Sequence, residues 1–285
     1  MNTTNSKPGN NRSVLINLKM FCLIAVLGLL GCGGGGGGGD GGGDTTPDQD
    51  ASGLFKDGTA SLDGGALMLS DLRGFVQDDR IIIFSASGHL LFDGQIATIS
   101  SDDYTATVDV YEDGVLTQSD VAVTGIVTTQ SQINGTISGT GNANGTFTLM
   151  FDALYSRAAT AERIDTDAPL NGVPYDRFGG PVYSSMPGVG TNDFGVSALG
   201  GYLLTSFTSS RDQCGSDGTY NINDVNIYPM DEVISQLGIN CNMPISPNYT
   251  GFASLIDGTV EDDTLLYAVT NGTNAQFAIL VREPF

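Results

Sequence analysis

From residue 75 onward, apolar residues recur at every second position between clusters of Gly, Asp, Asn and Ser. A period of two places alternate side chains on opposite faces, which is the pattern of a half-buried strand. The runs Arg80-Ile81-Ile82-Ile83-Phe84, Leu90-Leu91-Phe92, Gln95-Ile96-Ala97-Thr98, Tyr104 to Tyr111, Val121 to Val127, Gln132 to Ile137 and Thr146 to Phe151 all read as strands. Asp78-Asp79, Glu112-Asp113-Gly114 and Asn144-Gly145 supply turns between them. Only Ser156–Arg163 and Asp231–Leu237 invite a short helix. The fold class expected is all-β. It should consist of two consecutive antiparallel meander modules, each a small barrel or sandwich, with a lipocalin-like interior as one form.

The second half replays the first. Gly94 is echoed by Gly218, Thr124-Gly125 by Thr250-Gly251, and Asn144 with Phe147 by Asn274 with Phe277. A sheet module of this length must bury one face, and closing or doubling the sheet achieves that. The reading divides the chain into a leader at 1–31, a tether at 32–52 and a first β module at 53–163. A linker or long connection follows at 164–190, then a second β module, with a disulfide, at 191–285.

The leader carries Lys7, Arg12 and Lys19 and no acid, followed by the apolar run Met20–Gly31. That run is short against the ~20 residues a spanning helix needs, and a basic start before a short apolar stretch marks a secretory signal. It ends in Leu29-Leu30-Gly31-Cys32, which resembles the lipobox of bacterial lipoproteins. The resemblance implies cleavage before Cys32, acylation of its thiol and attachment to a membrane. Each buried methylene contributes about 0.8 kcal/mol, so several chains on one cysteine hold firmly. Gly33 stands where proteobacterial lipoproteins kept in the inner membrane tend to carry Asp, so the implied address is the outer membrane. The Gly33–Gly43 tract with Asp40 and Asp44 offers no side chain that buries apolar area. A disordered tether spanning roughly 20–25 Å is expected. The mature pattern also resembles proteobacterial lipoproteins built from repeated β modules, on Asp217-Gly218-Thr219-Tyr220, Val225-Asn226-Ile227-Tyr228 and Cys241. That resemblance brings no activity with it.

Removing the three leader bases from 11 leaves 8 Lys and Arg against 32 Asp and Glu, a net charge of −24. Such a chain repels polyanions, which excludes a nucleic-acid partner. Of four cysteines, Cys22 departs with the leader and Cys32 takes lipid. Cys214 and Cys241 remain as an even pair in an oxidising compartment, and a disulfide is expected. It would close a loop of 28 residues and stabilise by roughly 3 kcal/mol.

No catalytic set stands out. His89 is the chain's one histidine and reads as a turn residue. The acid pairs Asp78/Asp79, Asp102/Asp103 and Asp165/Asp167 and the run Glu261-Asp262-Asp263 read as turn formers, since neighbours along a strand address opposite faces. Asp48-x-Asp50-x-Ser52-Gly53 imitates half of a calcium loop, but position twelve is Thr59 rather than Glu. Asn134, Asn144, Asn248 and Asn271 open Asn-x-Thr triplets that read as turn markers. The expectation is a non-enzymatic lipoprotein with no cofactor or metal, acting as a binding or interaction module. The alternatives are a lipocalin-like carrier of an apolar ligand and an acid-pair hydrolase acting on envelope glycans.

Overall fold

The computed structural model describes residues 48–157, 176–184, 190–199, 202–209, 214–221, 225–236 and 248–282. The described residues are all β apart from short 3-10 turns. They form two closed eight-stranded antiparallel barrels in sequence order. In the first barrel β1 (Gly53–Leu62), β2 (Leu67–Gln77), β3 (Arg80–Ser85), β4 (Leu90–Ser100), β5 (Asp103–Glu112), β6 (Val115–Thr128), β7 (Gln132–Ser138) and β8 (Asn144–Phe151) pair in turn. β8 returns to β1 through Phe55↔Phe151 and Ala60↔Phe147. The second barrel comprises β9 (Asp176–Ser184), β10 (Gly190–Leu199), β11 (Tyr202–Ser209), β12 (Cys214–Asn221), β13 (Tyr228–Gln236), β14 (Tyr249–Ile256), β15 (Thr264–Thr270) and β16 (Ala275–Arg282). It closes where β16 pairs with β9.

Eight strands enclose a space that side chains can fill. In the first barrel Phe55, Leu72, Ile83, Phe92, Tyr104, Val123, Phe147 and Leu149 belong to one buried cluster. A second buried cluster joins the barrels. Leu54, Phe75, Ile82, Phe84, Leu91 and Tyr111 of the first pack with Phe252, Ile256, Leu266, Ala268 and Phe277 of the second. Ile81 and Ile83 therefore belong to the first barrel's own core while Ile82 and Phe84 meet the neighbour. All seven residues of β15 are buried for the same reason. Phe84 lies against Phe75 at 6.0 Å and Phe277 at 5.8 Å, and Phe277 stacks on Tyr183 at 5.2 Å. Main-chain bonds add to the seam: Leu116 N–H donates to Thr273 O (3.0 Å), Ala275 N–H to Gly114 O (2.8 Å), and Asn226 N–H to Tyr155 O (2.9 Å).

The halves repeat strand for strand. Gly94 and Gly218 fall in the fourth strand of each barrel, and Gly125 and Gly251 in the sixth. A methyl group on Gly125 would land on the Asn134 carbonyl oxygen, and one on Gly251 on that of Ala268. In both barrels the sixth strand thus approaches the seventh at a point only glycine fits.

Several expectations need correction. The span 164–190, read as a linker or long connection, contains β9, whose Gly179-Gly180-Pro181 sequence hides a strand that pairs on both sides. Asp231–Gln236 is part of β13 rather than a helix, because its ladder partners on β12 and β14 override local propensity. Asn144-Gly145 opens β8, and the turn before it is Gly141–Ala143. Leu90–Phe92 and Gln95–Thr98 form one strand interrupted by a register shift after Ile96. The Phe147/Phe277 echo is one residue out of step. Gly125↔Gly135↔Phe147 corresponds to Gly251↔Val269↔Gln276. Phe147 belongs to its barrel's own core while Phe277 faces the seam. Finally, residues 48–52 of the expected tether are bonded to the barrel. Ser101 N–H donates to Asp48 Oδ1 (2.8 Å), Gln49 N–H to Ser101 O (2.8 Å), and Asp50 N–H to Thr129 Oγ1 (2.8 Å).

Candidate functional site

Polar side chains from both barrels converge where β3, β4 and β5 meet the start of β14 and the end of β15. The turn Asp78-Asp79 places both residues at positive φ, 50° and 65°. Asp tolerates that region better than most residues, which permits the tight hairpin. Arg80, next in the chain, forks onto Asp93 with Nε–Oδ1 and Nη2–Oδ2 both at 2.8 Å. Its remaining donors cross the seam, Nη1 to Thr250 Oγ1 and Nη2 to Thr250 O, each at 3.0 Å. The guanidinium carbon stands 5.6 Å from the Phe252 ring centre. Thr270 donates its hydroxyl to Asp93 Oδ2. A planar, bidentate donor is the arrangement Arg makes and Lys does not.

Asp109 is the direct cross-strand partner of Asp93. Like charges so placed repel. Arg80 and Thr270 offset the charge of Asp93, whereas Asp109 accepts only the Asp120 amide at 3.1 Å among the described hydrogen bonds. Tyr111, almost wholly buried, has its phenol pushed up to about 12 by burial first and then by Asp93 and Asp109. Thr270 and Arg80 act in the opposite direction. A cleft of about 390 Å³ opens here, lined among others by Gln95, Asn248, Asn271 and Gly272. Its chemistry is that of hydrogen bonding with a negative bias. A smaller, more enclosed depression of about 300 Å³ lies beside residues 48–52, against Asp79 and Ile96–Ile99.

The residues nominated by sequence fall elsewhere. Cys32 and Cys241 lie outside the described residues, as do Asp165 and Asp167; Cys214 opens β12. His89 sits in the β3–β4 turn at φ 53°, with Nδ1 2.7 Å from Asp113 and its ring 4.8 Å from Tyr183. Asp48 and Asp50 accept the Ser101 and Ser52 amides. Among the described residues no three His, Cys, Asp or Glu side chains gather as a metal-binding group. In the run 261–263, Asp263 accepts the amides of Gly258, Thr259 and Val260 at 2.6, 2.7 and 2.9 Å. Burial alone would raise its pKa; these donors outweigh it and hold the carboxyl below its ordinary value. Arg157 gathers Asp257, Glu261 and Asp262 within 3.3 Å and so ties the end of the first barrel to the β14–β15 loop. Sequence reading passed over Arg80, Asp93, Asp109 and Tyr111. The available signal was the unbroken apolar run after Arg80, which fits a strand covered on both faces.

No protein-family model, curated protein or solved structure matches the chain.

Proposed function

We propose that this chain is an outer-membrane lipoprotein, acylated at Cys32 and bridged between Cys214 and Cys241. Its paired barrels serve as a non-catalytic binding module that meets its partner at the seam cleft. The observation supporting the site is the convergence of Arg80, Asp109, Tyr111, Asn248 and Asn271 from two barrels around one polar cleft. Clefts between packed units, lined by a few well-placed polar groups, are where ligands are most often held. A photo-reactive amino acid at Gln95 or Asn248 is expected to yield a discrete cross-linked product in cells, and one at the exposed Met68 none. No product at either cleft position, or the same product from Met68, overturns the site. Palmitate labelling should be lost in Cys32→Ser, and equal labelling of both proteins removes the anchor.

The buried side-chain cluster of the first barrel, with Phe55, Ile83, Phe92, Tyr104, Phe147 and Leu149, counts against the carrier alternative there. Among the described residues the hydrolase alternative has one cross-strand acid pair, Asp93 and Asp109, but Asp93 is held as the acceptor of a bidentate ion pair. A general acid has to keep and then deliver a proton, and Arg80 opposes that. Asp109→Asn should leave no envelope-glycan cleavage to lose, and a cleavage activity abolished by that change would replace the binding reading with the hydrolase.

A further inference from the structure

We infer that the turn Asn271-Gly272-Thr273-Asn274 catalyses its own chemical modification, converting Asn271 through a cyclic imide to an aspartyl or isoaspartyl residue.

Three described Asn-Gly pairs occur in the chain, and the structure treats them differently. Gly135 and Gly145 lie within β7 and β8, where each is paired on both sides. Ladder bonds hold those amides and fix the backbone. Gly272 stands between β15 and β16 at φ 80°, with nothing within 4 Å of where a side chain would begin. Its amide makes no hydrogen bond among the described residues, whereas Asn271 N–H is bonded to Asn274 O at 3.0 Å. The backbone nitrogen next to the Asn271 amide is therefore the uncommitted one.

The second feature is electrostatic. Asn271 Oδ1 accepts two main-chain donors, Thr273 N–H at 3.0 Å and Asn274 N–H at 2.7 Å. When the Gly272 nitrogen gives up its proton and attacks Cγ of Asn271, negative charge develops on Oδ1. Two fixed amides at this range are the arrangement that stabilises such an oxyanion. The C–N bond forms, solvent that took the Gly272 proton returns one to Nδ2, the tetrahedral centre collapses and Nδ2 leaves as ammonia. Water then opens either carbonyl of the ring. The balance is one water consumed and one ammonia released, with no change of oxidation state.

The product alters the candidate site, although the reaction does not depend on that site binding anything. Asn271 lines the cleft, so conversion adds a third carboxylate near Asp93 and Asp109. The isoaspartyl form also lengthens the main chain by one methylene, in the turn that meets the first barrel through Leu116–Thr273 and Val115–Asn274.

The test is peptide mapping of the folded, full mature protein after storage in mildly alkaline buffer, with the same protein in denaturant alongside. The chymotryptic fragment Ala268–Phe277 reports position 271, fragmentation separates it from Asn274, and an isoaspartyl methyltransferase labels the rearranged product. In the folded protein Asn271 should convert about tenfold faster than Asn134 or Asn144, a difference of ~1.4 kcal/mol in barrier. It should also convert at least as fast as in the denatured chain. Asn271→Gln should remove the signal from that fragment. Slower conversion at Asn271 in the folded protein than in denaturant would mean that the turn protects rather than promotes, and would overturn the inference. Conversion of the sheet-bound pairs at the same rate would do so too.

Discussion

Gln276 is completely buried in β16, and neither its amide nitrogen nor its amide oxygen has a hydrogen-bond partner. The equivalent position of the first barrel holds Phe147, packed in that barrel's core. An unpaired buried polar group costs on the order of 1–3 kcal/mol. Gln276→Leu, of similar volume, should therefore raise the thermal midpoint of the protein, read by circular dichroism; a fall would mean the amide is satisfied. Carboxylates supplied with donors work in the other direction. Asp71 accepts Ser85 Oγ at 2.5 Å, Ser87 N at 2.8 Å and Ser87 Oγ at 2.7 Å. Burial opposes its ionisation, but the donors prevail and its pKa is lowered from 3.8, as is that of Asp263. A lowered folded-state pKa gives stability that is present above the unfolded value and lost as pH falls through the folded one. Asp71→Asn and Asp263→Asn should each destabilise at neutral pH and flatten the loss of stability below pH 3.8, measured as urea midpoints across that range.

Strands and turns were largely legible because period-two alternation survives wherever one face meets water, as in β6 with its exposed Ala122 and Thr124. Legibility failed where tertiary pairing overrode local sequence. Pro229 and the helix-like Asp231-Glu232 sit in β13 because β12 and β14 demand a ladder there. Gly179-Gly180-Pro181 reads as linker but is held between β10 and β16. The Phe277 echo misled because one residue of slip reverses the face, and nothing local records the slip. The candidate site was the least legible part, since Arg80 and Thr270 are 190 positions apart. Glycine substitutions separate the two kinds of position. Gly125→Ala and Gly251→Ala should each push the sixth strand off the seventh and destabilise severely, by more than about 3 kcal/mol. Gly64→Ala, at φ 63° with open space around it, should cost only about 1 kcal/mol. Equilibrium unfolding of the three variants checks the contrast.

The two barrels share a buried cluster, an Arg80 fork and several main-chain bonds, so they should unfold as one body. Calorimetry is expected to give a single transition for residues 48–285. Phe84→Ala removes a ring that stacks on Phe75 of its own barrel and meets the tilted ring of Phe277 across the seam. Large-to-small changes at such sites cost about 3–5 kcal/mol, and the loss should split the melt into two steps. A single unshifted transition in that variant would show that the seam contributes little to cooperativity. Closure of both sheets has its own consequence. An open sheet exposes a row of main-chain donors and acceptors that a neighbouring molecule can extend by strand addition. Rings have no such rim, so many copies crowded side by side on one surface would stay separate particles rather than grow into ribbons.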